Sequence, residues 1–186
     1  MKSLLPFLIG TFLASCHKPD NQIEGHELTQ QQQEMINQGW EFASPPEDLS
    51  VDYGIEPIYG IQDNYFDITI GEGCNLAVKI MDVKTNKCIR YVYVAENTTT
   101  TVQDIPQGVY YLKLAYGLDW MKQETDSVTM GKFTRNVQYE RSHNTFDFGV
   151  KNSREEINYQ LEINVVDSHL ENNFKSSPIS EEEFMS

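Results

Sequence analysis

From Tyr65 onward, hydrophobic and polar positions follow a period of two. Tyr65-Phe-Asp-Ile-Thr-Ile70 alternates residue by residue and is broken by Gly71-Glu-Gly73. Residues 76–82 (Leu-Ala-Val-Lys-Ile-Met-Asp) and 88–94 (Cys-Ile-Arg-Tyr-Val-Tyr-Val) predict two strands around the polar turn Lys84-Thr85-Asn86-Lys87. Asn97 and the threonine run Thr98–Thr101 follow. Residues 109–116 (Val-Tyr-Tyr-Leu-Lys-Leu-Ala-Tyr) predict a further strand, entered through Pro106-Gln107-Gly108. More strands are expected at 132–139, 144–150 and 157–166. Short runs separated by Gly, Pro, Asn and Asp predict an all-β protein, an antiparallel β-sandwich of transthyretin-like or immunoglobulin-like kind. Residues 65–167 carry no long helical period, which disfavours doubly wound α/β folds.

The first sixteen residues follow a different rule. Lys2 gives a basic start, and Leu4, Leu5, Phe7, Leu8, Ile9, Phe12 and Leu13 form an apolar run. The run is shorter than the roughly 20 residues a spanning helix needs. A basic start, an apolar stretch and small residues at a cut site are the parts of a secretory signal. This one closes on Leu13-Ala14-Ser15-Cys16, which resembles the lipobox of bacterial lipoproteins. The resemblance implies that residues 1–15 are a signal peptide and that Cys16 becomes the lipidated first residue of the mature chain. It also implies a place in the bacterial cell envelope. There the second mature residue is His17 rather than the Asp that favours inner-membrane retention in many diderm bacteria, which leans toward the outer membrane.

Residues 16–28 are polar and read as a flexible tether. Thr29 with Gln32 has the spacing of a capping box and Gly39 is a natural stop. A short helix over about 30–38 is expected, with a glutamine-rich extension of the tether as the alternative. Residues 43–64, with three prolines and two glycines, predict irregular chain; Trp40, Phe42, Tyr53 and Tyr59 suggest that segment 29–64 packs on the domain. The strand-rich part, 65–167, is followed by a polar C-terminal tail, 168–186. In that tail Ser180 and Glu183 either cap one helical turn or order only on a partner.

Charge narrows the classes of partner. The chain carries 28 acidic against 14 basic residues, a formal net charge of −14. Such a body is repelled by nucleic acid and by anionic lipid headgroups, so membrane contact would come from the lipid on Cys16. Each buried acyl methylene contributes about 0.8 kcal/mol, and lipoproteins carry two or three chains. Cys74 and Cys88 are the other thiols, and an oxidising envelope invites a disulfide. The hairpin argues against it. At roughly 3.3 Å per residue, Cys74 at the open end would lie about 25–30 Å from Cys88 at the turn, beyond the ~7 Å reach of a bridge. Two unpaired thiols are expected.

The segment from Asn75 to Tyr116, with Ile105-Pro106-Gln107-Gly108-Val109-Tyr110-Tyr111-Leu112, resembles the carboxypeptidase-regulatory-like, or transthyretin-like, β-sandwich. The likeness covers about residues 65–166. Gly117-Leu-Asp-Trp120 and Gly131-Lys-Phe-Thr134 resemble the continuation seen in bacterial envelope lipoproteins with such a domain. The resemblance implies a non-catalytic module; secretion machines include lipoproteins that use one to hold a partner.

Little in the sequence points to catalytic chemistry. His17, His26, His143 and His169 show no zinc-binding spacing, and no nucleophile elbow, phosphate loop or calcium loop occurs. Glu47-Asp48, Glu155-Glu156 and Glu181–Glu183 read as solvated charge. Asp126-Ser127-Val128 resembles an envelope O-glycosylation acceptor. Because strand neighbours face opposite sides, Tyr110 and Tyr111 should not both point inward. An exposed aromatic face including Tyr111, Tyr116 and Trp120 would anchor a protein partner or stack on sugar rings; ordinary cross-strand packing under a lid from residues 40–60 is the alternative. The expectation is therefore a non-enzymatic, lipid-anchored binding or scaffolding component of an envelope assembly, without metal or other cofactor. The alternative is a glycan- or nutrient-binding lipoprotein beside an outer-membrane transporter.

Overall fold

The computed structural model describes residues 27–125, 128–149, 155–166 and 169–186. The signal segment, Cys16, nearly all of the tether, and Asp126-Ser127 lie outside the described residues. Helix α1 spans Gln30–Asn37, and the strands are β1 Glu41–Phe42, β2 Tyr65–Ile70, β3 Asn75–Asp82, β4 Cys88–Val94 and β5 Thr98–Val102. Then come β6 Val109–Glu124, β7 Thr129–Ser142, β8 Phe146–Asp147, β9 Asn158–Val166, β10 His169–Asn172, β11 Ser176–Pro178 and helix α2 Glu181–Met185. The larger sheet runs β11-β7-β6-β3-β4, with β1 and β8 also on β6; the smaller runs β10-β9-β2-β5. The two form an open β-sandwich.

Between the sheets lies the main core. Phe66, Ile68 and Ile70 of β2 and Leu161 and Ile163 of β9 face Leu76, Val78 and Ile80 of β3 and Tyr110, Leu112, Leu114 and Tyr116 of β6. The period of two puts these residues on one face, as the sequence predicts. The opposite face of the larger sheet is also covered. Ala77, Tyr91, Ala115, Trp120 and Phe133 form a second core under Leu49, Tyr53 and Ile55 from one side and Ile179 and Phe184 from the other. Leu76 through Met81 are therefore buried without interruption, the signature of a strand covered on both faces.

Several expectations need correction. The sandwich is not purely antiparallel: β2 and β9 pair in parallel, Tyr65 opposite Asn158 through Ile70 opposite Ile163. The long connection that parallel pairing requires here runs through β3 to β8, and includes β5 of the same smaller sheet. Strand β6 continues past Tyr116 to Glu124, because a register shift between Tyr116 and Leu118, with Asp119 at φ 56°, bends it without ending it. The strand expected at 144–150 is reduced to Phe146–Asp147. The polar tail is an integral part of the domain, contributing β10, β11 and α2, and Phe184 is 1% exposed.

Other elements follow the sequence closely. Helix α1 starts on the reciprocal Thr29–Gln32 capping box. Residues 43–64 are irregular yet hydrogen-bonded along the edge of β4, with Leu49 N–H to Tyr91 O at 2.8 Å, Tyr93 N–H to Glu47 O at 2.7 Å and Ile58 N–H to Ile89 O at 3.2 Å. Cys74 and Cys88 are both free thiols, at opposite ends of the β3–β4 hairpin.

Candidate functional site

The aromatic residues singled out from the sequence are buried, at 5% exposure for Tyr111, 1% for Tyr116 and 5% for Trp120. The expectation that one sheet face exposes tyrosine is overturned, since Tyr110 and Tyr111 do point to opposite faces but each face has its own cover. Tyr116 lies in the inter-sheet core, where burial pushes its hydroxyl pKa well above the usual value. On the outer face Tyr111 donates to Asn86 Oδ1 and stacks with the Arg141 guanidinium 4.2 Å from its ring centre. Trp120 meets Phe133, Tyr93 and Tyr53 edge to face at 4.8, 6.0 and 6.2 Å. The three do not form one surface.

The two glycine–aromatic motifs interlock instead. Trp120 of β6 stands opposite Phe133 of β7. A Cβ on Gly117 would lie 2.6 Å from Phe133 Cβ, and one on Gly131 would lie 2.7 Å from Trp120 Cζ2. Each glycine thus makes room for the other motif's ring. Beside them Arg135 holds Asp119 through two bonds of 2.6 and 3.0 Å. Gln32, 2% exposed, donates to Asp119 Oδ2 and Thr134 Oγ1 and so docks α1 on this bend.

Helix α2 is held by two buried lysines that pair across β3 and β6. Lys79 Nζ donates to Phe184 O at 2.9 Å, and Lys113 Nζ donates to Glu183 O at 2.5 Å and Ser186 Oγ at 3.1 Å. Cations at the carbonyl end of a helix are favoured by its dipole. Burial lowers the pKa of both ammonium groups.

A different arrangement occupies the open edge of the sandwich. Arg90 pairs with Ile80, so its side chain enters the inner face of β4, and it is 2% exposed. Nη1 donates to Ile58 O and to Ile89 O, the latter at 2.8 Å. Nη2 is buried with no hydrogen-bond partner. The guanidinium carbon sits 3.8 Å from the centre of the Tyr59 ring, and Tyr59 is itself 59% exposed. Arg90 and Tyr59 line a cavity of about 250 Å³ between the edges of β4 and β5, together with Glu47, Asp48, Thr100 and Asp104. Burial lowers the Arg90 pKa, against the opposing pull of Tyr59, Asp48 and Asp104. The sequence carries one sign of this site, a lone arginine inside the apolar run of β4.

A second recess of about 340 Å³ lies beside Trp120, lined by Pro45, Pro46, Tyr53, Lys122 and Glu124. Among the described residues no three His, Cys, Asp or Glu side chains are grouped to hold a metal ion. No helix among them is long and apolar enough to cross a membrane. The chain matches no known protein family, curated protein or solved structure.

Proposed function

We propose that this chain is a non-enzymatic lipoprotein of the bacterial envelope, anchored through Cys16 in the outer membrane. Its transthyretin-like sandwich serves as a binding or scaffolding component of a protein assembly, of which a secretion machine is one kind. The observation that supports partner binding is the segment from Val51 to Ile61. It carries Val51, Ile58, Tyr59 and Ile61 at 72%, 47%, 59% and 95% exposure on an otherwise acidic body. Exposed apolar residues gathered in one segment can form an interaction surface, and this reading gives the loop the role expected of Tyr111, Tyr116 and Trp120.

Two measurements in cells test the reading. Cys16→Ser should move the protein from the membrane to the soluble fraction; retention in the membrane refutes the anchor. A photo-crosslinking residue at position 61 should give a discrete protein adduct; its absence refutes docking through the loop. A second reading, a glycan- or nutrient-binding lipoprotein beside an outer-membrane transporter, is favoured by the Arg90 cavity.

A further inference from the structure

We propose that the cavity between β4 and β5 binds a neutral polyhydroxylated ligand, one unit of a sugar. Arg90 would act as hydrogen-bond donor, Tyr59 as stacking face, and Glu47, Asp48 and Asp104 as hydroxyl acceptors. The inference rests on the second reading above and makes its ligand class specific.

Arg90 makes the first demand on any ligand. A buried guanidinium N–H without an acceptor is costly, and Nη2 is such a group in a residue that lines a cavity. Whatever enters must bring an acceptor. An anion would bring one, but Glu47, Asp48 and Asp104 outnumber the single arginine along the same wall, so a second negative charge is opposed. A simple cation suits the carboxylates and leaves Nη2 unanswered. A hydroxyl group meets both demands, because it accepts from Nη2 while donating to a carboxylate. Several hydroxyls on one rigid ring would meet several of these groups at once.

Tyr59 supplies the apolar complement. One face of its ring lies on the guanidinium, and its 59% exposure leaves the rest of the ring open to solvent. Tyr59 sits in irregular chain between Ile58 and Gly60 rather than in a sheet. Nη2 is shut off from water as the site stands, and a shift of the Tyr59 ring that lies on the guanidinium would open a path for a hydroxyl to reach it. Thr100, 6% exposed, adds a hydroxyl to the opposite wall from β5.

Saturation-transfer NMR on the full-length protein, in a detergent without a sugar headgroup, tests the idea. The probes are maltose, cellobiose, lactose and N,N′-diacetylchitobiose, with glycylglycine and methyl phosphate, whose C–H protons can receive the transfer, as zwitterionic and anionic comparators. At about 20 mM, a site with millimolar affinity is well filled. The expected result is transfer to at least one sugar and not to methyl phosphate. Tyr59→Ala should weaken that binding about tenfold without changing the thermal melt. Glu47→Gln, at an exposed position, should weaken the same sugar as well. Sugar binding that is unchanged in both variants overturns the assignment. Transfer to glycylglycine or methyl phosphate alone also overturns it while leaving a ligand-binding role standing. Silence from all six probes overturns the sugar assignment and the second reading together.

Discussion

Phe184→Ala probes whether the last turn of chain is a structural closure or an ornament. Phe184 is 1% exposed, lies 5.3 Å from the Tyr139 ring and 6.2 Å from that of Tyr91, and has Lys79 Nζ 5.0 Å from its centre. Removing a buried phenylalanine costs about 3–5 kcal/mol. The lower half of that range is expected here, because α2 has only five residues and can shift to close part of the hole. For a chain of this size each kcal/mol moves the midpoint by roughly 2–4 °C, which places the drop at roughly 6–16 °C. Urea titration with an unchanged slope supplies the free energy directly. The same structure predicts coupling. Lys79 bonds to Phe184 O and Met185 O at 2.9 and 3.3 Å, so Lys79→Met and Phe184→Ala act on one docked element. Their double-mutant cycle should show an interaction of at least about 0.5 kcal/mol. A single-variant loss below about 1 kcal/mol, outside the range for such truncations, would refute the docking of α2. Strict additivity would refute the role of the lysine clamp.

Gly131→Ala should cost about 1–3 kcal/mol by overpacking and alter the near-ultraviolet signal of tryptophan, because the new Cβ presses on Tyr53 Oη and the Trp120 ring; an unchanged spectrum and melt would contradict the interlock. Burial raises the Cys74 and Cys88 thiols to about 11 from an ordinary value of 9.0. The folded state therefore holds these protons after the unfolded chain has lost them. Their contribution to stability is intact below pH 9 and is lost as pH rises toward 11. Both thiols should resist a thiol-specific dye at pH 8 and react once denaturant is added; prompt labelling of the native protein at pH 8 would sink this account.

The inner faces of β2, β3 and β6 were legible because alternation follows directly from strand geometry. Half of what covers the outer face was legible as well, because the lid offered from residues 40–60 is present in Leu49, Tyr53 and Ile55; the half supplied by Ile179 and Phe184 was not. Leu49 and Phe184 come from opposite ends of the described chain to sit on the same sheet, and no local pattern announces such a meeting. Of the two readings, the half-wetted sheet produced the mistaken exposure of Tyr111 and Trp120, and the covered sheet is the one present. The clue lay in charged residues placed within apolar runs. Lys79, Arg90 and Lys113 each interrupt a strand, and all three are buried on specific acceptors rather than solvated. Strand β6 was cut short for a related reason, since Gly117-Leu-Asp119 breaks the alternation where the chain bends. The β2–β9 pairing joins segments too far apart for hairpin reasoning to reach.

That parallel pairing also sets a schedule for folding. The smaller sheet gains its β9 strand, paired through Ile163, only when residues 158–166 have been made, and the lysine clamp waits for residues 183–186. Contacts this distant in sequence form slowly, because their loop-closure entropy comes before any reward. The smaller sheet and the α2 cover of the larger sheet are consequently the last parts of the fold to close. An open chain is the form that a membrane translocation pore accepts, so on the proposed envelope location the late closure of this sheet would suit export.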